Sequence, residues 1–324
     1  MGPKTKIALA VGAAVIAVIV IIAALQIGGL SGEEEVPHEG AWGIYSLTID
    51  SEKVSLIYSS ENVLRDLSLN GAGDILAFSE RIGGTGDSSE EICSINVDGT
   101  GFSQLTDNSV LDTYPAWSSD GSILYFLSWR GTTLDIYKMA PNGSGQVLFY
   151  DSGFHDADVN SVDDKLVFTR ESQIWNINDD ATGAAMITDP PMAGVWGDAN
   201  LPFGDYDPRL SPDGSKIVFE RLVDDTSVHG NYDIYITNSD GTDEQALTEN
   251  GYSQGLAGWS HSGDRIAYIV AAINGTGVYH IYMMNSDGTG NGDATPNYFP
   301  DGFLCHSVVF SHDDSKLYFI GQWW

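Results

Sequence analysis

The chain has 324 residues, with 45 acidic against 14 basic side chains, 37 glycines and 2 cysteines. A net charge of -31 excludes a nucleic-acid binder, which needs a Lys/Arg footprint against phosphate, and disfavours electrostatic docking on anionic lipid. With 42% hydrophobic and 18% charged residues the chain is expected to fold, and its glycine excess predicts many tight turns.

In chain order the first element is apolar. Residues 7–25 carry no polar side chain, and only Gln26 interrupts before Leu30. As a helix, positions 7–30 would span about 36 Å, enough to cross a bilayer. Lys4 and Lys6 precede the run, and Glu33, Glu34 and Glu35 follow it. The positive-inside rule therefore predicts a cytoplasmic stub at 1–6, a single-pass membrane anchor at 7–30 and an extracytoplasmic remainder. A cleaved signal peptide is the alternative: its apolar region usually spans only about 7–15 residues, but Gly29-Leu30-Ser31 would serve as a cleavage site. A pilin-like assembly helix is a third reading, although no acidic residue stands near the start of the run. Residues 31–40, polar and containing Pro37, read as a linker.

Residues 41–324 consist of one repeated unit. Six segments align without gaps: LSLNGAGDILAF (67–78), PAWSSDGSILYF (115–126), ADVNSVDDKLVF (157–168), PRLSPDGSKIVF (208–219), AGWSHSGDRIAY (257–268) and VVFSHDDSKLYF (308–319). Each reads as strand, Asp/Gly/Ser turn, strand ending in an aromatic, and the final aromatics are 48, 42, 51, 49 and 51 residues apart. A second pattern follows the first five: EICSINVDGTG (91–101), DIYKMAPNGSG (135–145), QIWNINDDATG (173–183), DIYITNSDGTD (233–243) and HIYMMNSDGTG (280–290). One repeat is thus a four-stranded antiparallel unit of about 40–50 residues, the size of a propeller blade. The sixth copy stops after two strands, and residues 43–60 are the second pattern without its first. The N-terminal pair would complete the last blade and close the ring, leaving no free sheet edge at the joint. The expected fold is all-β, a six-bladed β-propeller.

Pro208–Phe219 with Asp233–Thr242 and Leu247-Thr248, and less closely Tyr114–Phe126 with Asp135–Gly143, resemble the WD40-like repeats of TolB-type propellers. The resemblance covers nearly all of 41–324 and implies a binding scaffold at the cell envelope that engages protein partners. It departs from the family in two respects. Where TolB carries an α/β domain before its propeller, this chain has the apolar segment and linker. The family's Asp three residues before the strand-opening Pro occurs only as Asp112 and Asp205.

Turns within hairpins are short throughout, whereas connections between hairpins and blades vary and fall on the opposite face. The long ones are 81–90, 189–204, 222–232, 271–278 and 296–306. Variable loops on a rigid scaffold are where binding residues gather, so this face and the channel mouth are the expected functional surface. The loop 189–204 supplies Trp196 and Phe203, suited to a protein hot spot or to stacking on a sugar, with a plug between blades 3 and 4 as the alternative for Trp196. Asp112, His155, Asp156, Asp198, Asp205, Asp207 and His306 are expected near the same mouth, where they would suit a divalent cation; no other cofactor is implied.

Three motif matches are discounted. Gly251–Gly255 fits G-x-S-x-G around Ser253, but that motif needs a strand–turn–helix setting. Asn285–Asp293 imitates an EF-hand start, yet Pro296 stands where the bidentate Glu belongs, and the same turn recurs in sister blades. Asn142 and Asn274 begin N-glycosylation sequons, meaningful only in a host with that machinery. Cys93 replaces the aromatic seen at Tyr137, Trp175, Tyr235 and Tyr282 and is expected to be a core residue; a disulfide to Cys305 is left open. The favoured function is an anchored extracytoplasmic scaffold binding a protein or envelope polymer. The alternatives are a polysaccharide lyase or hydrolase with its site at the channel mouth, and a structural part of a surface assembly.

Overall fold

The computed structural model describes residues 35–83, 90–196, 202–224, 231–271 and 279–323. Among them no helix is long and apolar enough to cross a membrane, and the apolar segment 7–30 lies outside them.

The described residues form six four-stranded antiparallel sheets, each a blade. Blade 1 runs through Leu64–Leu69, Ile75–Arg81, Glu90–Asn96 and Ser103–Gln104. Blade 2 comprises Asp112–Trp117, Leu124–Ser128, Asp135–Met139 and Val147–Tyr150. Blade 3 comprises Asp156–Val162, Lys165–Arg170, Gln173–Asn178 and Ala185–Met186. Blade 4 comprises Gly204–Leu210, Lys216–Asp224, Asn231–Asn238 and Gln245–Ala246. Blade 5 comprises Ser253–Trp259, Arg265–Ala271, Tyr279–Asn285 and Gly292–Asp293. In every blade the first strand is innermost, and each inner strand touches the next around the ring, including the last against the first.

Blade 6 is made from both ends of the propeller. Phe303–Phe310 and Lys316–Trp323 are followed outward by Trp42–Thr48 and Lys53–Ser60. The joint is a full antiparallel ladder from Trp42 opposite Gln322 to Thr48 opposite Lys316, extended by Trp323 N–H to Ala41 O at 2.9 Å. Two glycines face each other in it, Gly43 and Gly321. A Cβ on Gly321 would stand 2.2 Å from the Phe303 ring, so glycine there makes room for the aromatic seal. That seal packs Tyr45 between Phe303 and Phe319, with ring centroids 5.4 and 5.5 Å away. Trp323 donates its indole N–H to the Tyr45 hydroxyl, and His38 lies 4.2 Å over the Trp323 ring.

Local chemistry explains the repeat. Ser118, Ser211 and Ser311 donate their hydroxyls to Asp120, Asp213 and Asp313 two residues on, and each carboxylate then accepts the N–H of Ser122, Ser215 or Ser315. In the second pattern Asp98, Asp180, Asp240 and Asp287 accept both the N–H and the hydroxyl of the Thr two residues on. The EF-hand imitation at Asn285–Asp293 is therefore one of five such Asx turns in the second pattern (Asn142 with Ser144 being the fifth), its carboxylate already committed to the turn. The cross-strand aromatics pair in register, Phe126 with Tyr137, Phe168 with Trp175, Phe219 with Tyr235 and Tyr268 with Tyr282, and Cys93 takes that place opposite Phe78. Cys93 and Cys305 are both buried and free. The segment expected as a loop over 296–306 is partly strand, because the inner strand of blade 6 begins at Phe303.

Candidate binding surfaces

The antiparallel order puts the turns within hairpins on one face and the connections between hairpins and blades on the other. The tight-turn face opens onto a cavity of about 420 Å3 in the central channel, reaching from Gly71, Ser119, Asp163, Pro212, His261 and His312 down to Asp66, Tyr114, Leu256 and Ser307. His261 and His312 stack at its rim with centroids 3.8 Å apart.

The floor of that cavity comes from a feature shared by all six inner strands. Each has a register shift, and at each shift one residue adopts positive φ: Asp66, Tyr114, Asp158, Asp207, Leu256 and Ser307. These β-bulges turn one residue per blade out of the ladder. The freed backbone groups are capped by side chains of the preceding blade. Asp66 accepts from the Tyr114 N–H (3.3 Å) and the Thr113 hydroxyl (2.9 Å), Asp158 accepts from the Asp207 N–H (3.2 Å), and Ser307 from the Leu67 N–H (2.9 Å). Glu220 does the same for the Leu256 N–H at 3.0 Å. A Cβ on Gly255 would lie 1.8 Å from that Glu220 oxygen, which is why glycine stands there.

The ring is acidic and sparingly neutralised. Burial, reinforced by Glu90, pushes Asp66 up to about 6. Burial also pushes Glu220 up to about 7, with the Asp158 charge adding to it. Asp207 is raised well above the usual carboxylate range, by burial first and then by Asp158 and Glu220, while Arg209 opposes with a 3.3 Å hydrogen bond.

The residues expected near one mouth are placed in several different settings. Asp112, Asp156 and Asp205 occupy equivalent positions at the loop-face ends of the inner strands of blades 2, 3 and 4, and all are fully buried. Each is held by an arginine from the adjacent strand or its end: Arg130 Nη2 to Asp112 at 2.9 Å, Arg170 Nε to Asp156 at 2.8 Å, and Arg221 Nε and Nη2 to Asp205 at 2.5 and 2.8 Å. Each guanidinium also lies over an aromatic ring, Tyr137 at 5.1 Å, Trp175 at 4.7 Å and Tyr235 at 4.5 Å. The set is a threefold internal ion pair that ties strands together. Blades 1, 5 and 6 carry Leu64, Gln254 and Cys305 at the same position. Asp207 sits in the channel ring. His155 accepts the Leu134 N–H at Nδ1 (3.0 Å) and packs on Trp129 with centroids 4.8 Å apart. His306 lies between Trp42 and Tyr279 beside Gln322, and burial lowers it to about 4. Asp198 falls outside the described residues. Among the described residues no group of three or more His, Cys, Asp or Glu side chains is arranged to hold a metal ion.

Trp196 is 65% exposed. Its loop is pinned by an isolated bridge between Trp196 and Pro202, by Gly194 N–H to Phe203 O (2.8 Å) and by Phe203 N–H to Val195 O (2.9 Å). Phe203 itself is half-buried. Sequence reasoning singled out the loop 189–204, which carries the exposed Met192, Val195 and Trp196, but missed the exposed companions outside it, Trp129, Phe154 and Val223. The bulge ring was missed as well; its only signal in the sequence is a one-residue break in the alternation of each inner strand.

Ring closure, register and bulges together define a six-bladed β-propeller. No family model matches the chain. The structure of a putative TolB from Agrobacterium tumefaciens superposes with a TM-score of 0.65 at 14% identity, covering 88% of this chain and 98% of that one. TolB from Acinetobacter baumannii gives 0.58 at 16% identity, covering 83% of this chain and 66% of its own. In sequence, an uncharacterized protein of Agrobacterium fabrum is 26% identical over 181 residues, 52% of this chain and 58% of that relative, so the match spans less than two thirds of its length.

Proposed function

We propose that this chain is a binding scaffold, held at a membrane by residues 7–30 with its propeller outside the cytoplasm, and that it engages a protein or polymer of the envelope. The observation that carries this reading is that six of the ten exposed large apolar side chains among the described residues, Trp129, Phe154, Met192, Val195, Trp196 and Val223, lie at the loop-face ends and connections of the blades. Exposed apolar patches of this kind mark interaction sites. Catalysis by the expected carboxylates is disfavoured, because Asp112, Asp156 and Asp205 are consumed by arginines. The TolB-like fold adds support for a protein partner. Crosslinked purification of the full chain from its native membranes tests the reading: a distinct envelope component is expected, and recovery of self-copies alone would overturn it.

A further inference from the structure

We infer that the loop face across blades 2, 3 and 4 docks a basic protein segment bearing bulky apolar side chains, an inference that rests on the scaffold reading and gives it a place and a partner chemistry. Six exposed apolar residues lie on three successive stretches of this face; the other four among the described residues, Phe102, Val147, Leu148 and Met186, lie on or beside outer strands. Trp129 and Phe154 stand where blade 2 meets blade 3, Met192, Val195 and Trp196 between blades 3 and 4, and Val223 at the end of the second strand of blade 4. Both aromatic centres stand on an ordered base. Trp129 rests on His155, whose ring accepts the Leu134 N–H, and the backbone of Trp196 pairs with Pro202 while Gly194 and Val195 bond to Phe203. Knobs already ordered in the free protein lose little conformational freedom on binding, the condition under which an exposed tryptophan becomes a hot spot.

Charge decides the partner. Among the described residues, the exposed ionic side chains on the same loop-face connections of blades 2, 3 and 4 include Asp151, Glu171 and Asp189. The arginines of the same region, Arg130, Arg170 and Arg221, are locked onto Asp112, Asp156 and Asp205 and stacked on rings. The surface therefore offers negative charge around apolar anchors, and complementarity calls for Lys or Arg interleaved with large apolar residues. An anionic bilayer would be repelled by the same carboxylates. A neutral sugar would use the flat faces of Trp129 and Trp196 but gain little from Met192, Val195 and Val223, so a protein segment is favoured.

The test uses the full chain in detergent micelles and two fluorescent peptide sets of equal length and apolar content, one carrying Lys/Arg and the other Asp/Glu. The basic set is expected to bind, weakening about tenfold or more in Trp196→Ala and Trp129→Ala and again in Glu171→Lys with Asp189→Lys, with unchanged thermal unfolding. Binding that ignores the tryptophans would reveal only attraction to the acidic shell and would overturn the inference. Equal binding of the acidic set, no binding of the basic set, or Trp196-dependent capture of a neutral glucan oligosaccharide in place of the basic set would overturn it too. The two readings fail separately. An envelope partner still captured by the double tryptophan variant sinks this surface and leaves the scaffold standing, whereas self-copies alone sink the scaffold.

Discussion

Removing Arg221 isolates the contribution of the internal ion pairs. Its guanidinium is bound by both oxygens of fully buried Asp205, lies 4.5 Å over Tyr235 and reaches the partly exposed Glu244 at 2.6 Å. Arg221→Ala leaves a buried carboxylate without its cation, with only the Thr188 hydroxyl still bonding it, a loss of about 3–5 kcal/mol. The cation–π contact adds about 0.5–2 kcal/mol, and the outer pair with Glu244 less than about 1 kcal/mol. Asp205 can escape part of this by taking a proton, since burial already raises it. The expected loss is therefore about 4 kcal/mol at pH 7.5, roughly 8–12 °C in Tm, and visibly less at pH 5. Thermal unfolding followed by circular dichroism at both pH values measures it. In the double variant Asp205→Asn with Arg221→Met, where no charge is stranded, the cycle should return a coupling of about 2 kcal/mol or more. A loss below about 1 kcal/mol, or one equal at the two pH values, would refute the role given to Asp205 and restore it as a candidate for chemistry.

The channel acids set a pH dependence of known sign. Asp66 and Glu220 titrate at about 6 and about 7 in the folded protein, above their ordinary values of 3.8 and 4.5. The native state therefore binds more protons than the unfolded chain between these limits, and stability falls as pH rises through 4 to 7. The urea midpoint should be higher at pH 5 than at pH 8, and Asp66→Asn with Glu220→Gln, which keep the acceptors for the Tyr114 and Leu256 N–H groups, should shrink the difference. A difference unchanged in those variants would assign it to the general acidity of the chain instead. Gly255→Ala puts a methyl group 1.8 Å from Glu220 and should cost about 2–4 kcal/mol, whereas Gly292→Ala, with nothing within 4 Å, should be near neutral in the same denaturant titration. Burial pushes both thiols upward, so a thiol reagent should label neither Cys93 nor Cys305 in the folded protein and both after unfolding. Labelling of neither after unfolding without reductant would reveal a disulfide.

How much was legible follows from the range of the interactions concerned. Blade number, hairpin turns and the split last blade were readable because each is written locally. Asp-x-Thr and Ser-x-Asp-x-Ser fix their own turns through side chains two residues apart, and the aromatic that ends each strand recurs at blade spacing. Even the unusual Cys93 could be placed, because it stands in the second pattern where sister blades carry Tyr137, Trp175, Tyr235 and Tyr282. Trp196 was legible as an odd residue in an odd loop, but its exposure depends on what packs beside it.

The sequence by itself determined the ring: six repeats, an N-terminal pair matching the missing half of the last, and short turns all on one face. Only the tertiary structure decided which polar residues are free to meet a partner. Asp112, Asp156 and Asp205 look like site residues in a one-dimensional reading, yet Arg130, Arg170 and Arg221 reach them across a strand pair whose register is shifted by a bulge. Asp66 looks like an ordinary strand residue and Asp207 like a residue of the loop-face mouth, yet those same bulges turn both into the channel, where burial and neighbouring carboxylates raise them. The physical reason is that a local pattern fixes the backbone hydrogen bonds of a blade, whereas the protonation and exposure of a side chain depend on residues about 50 positions away that only ring closure brings into contact.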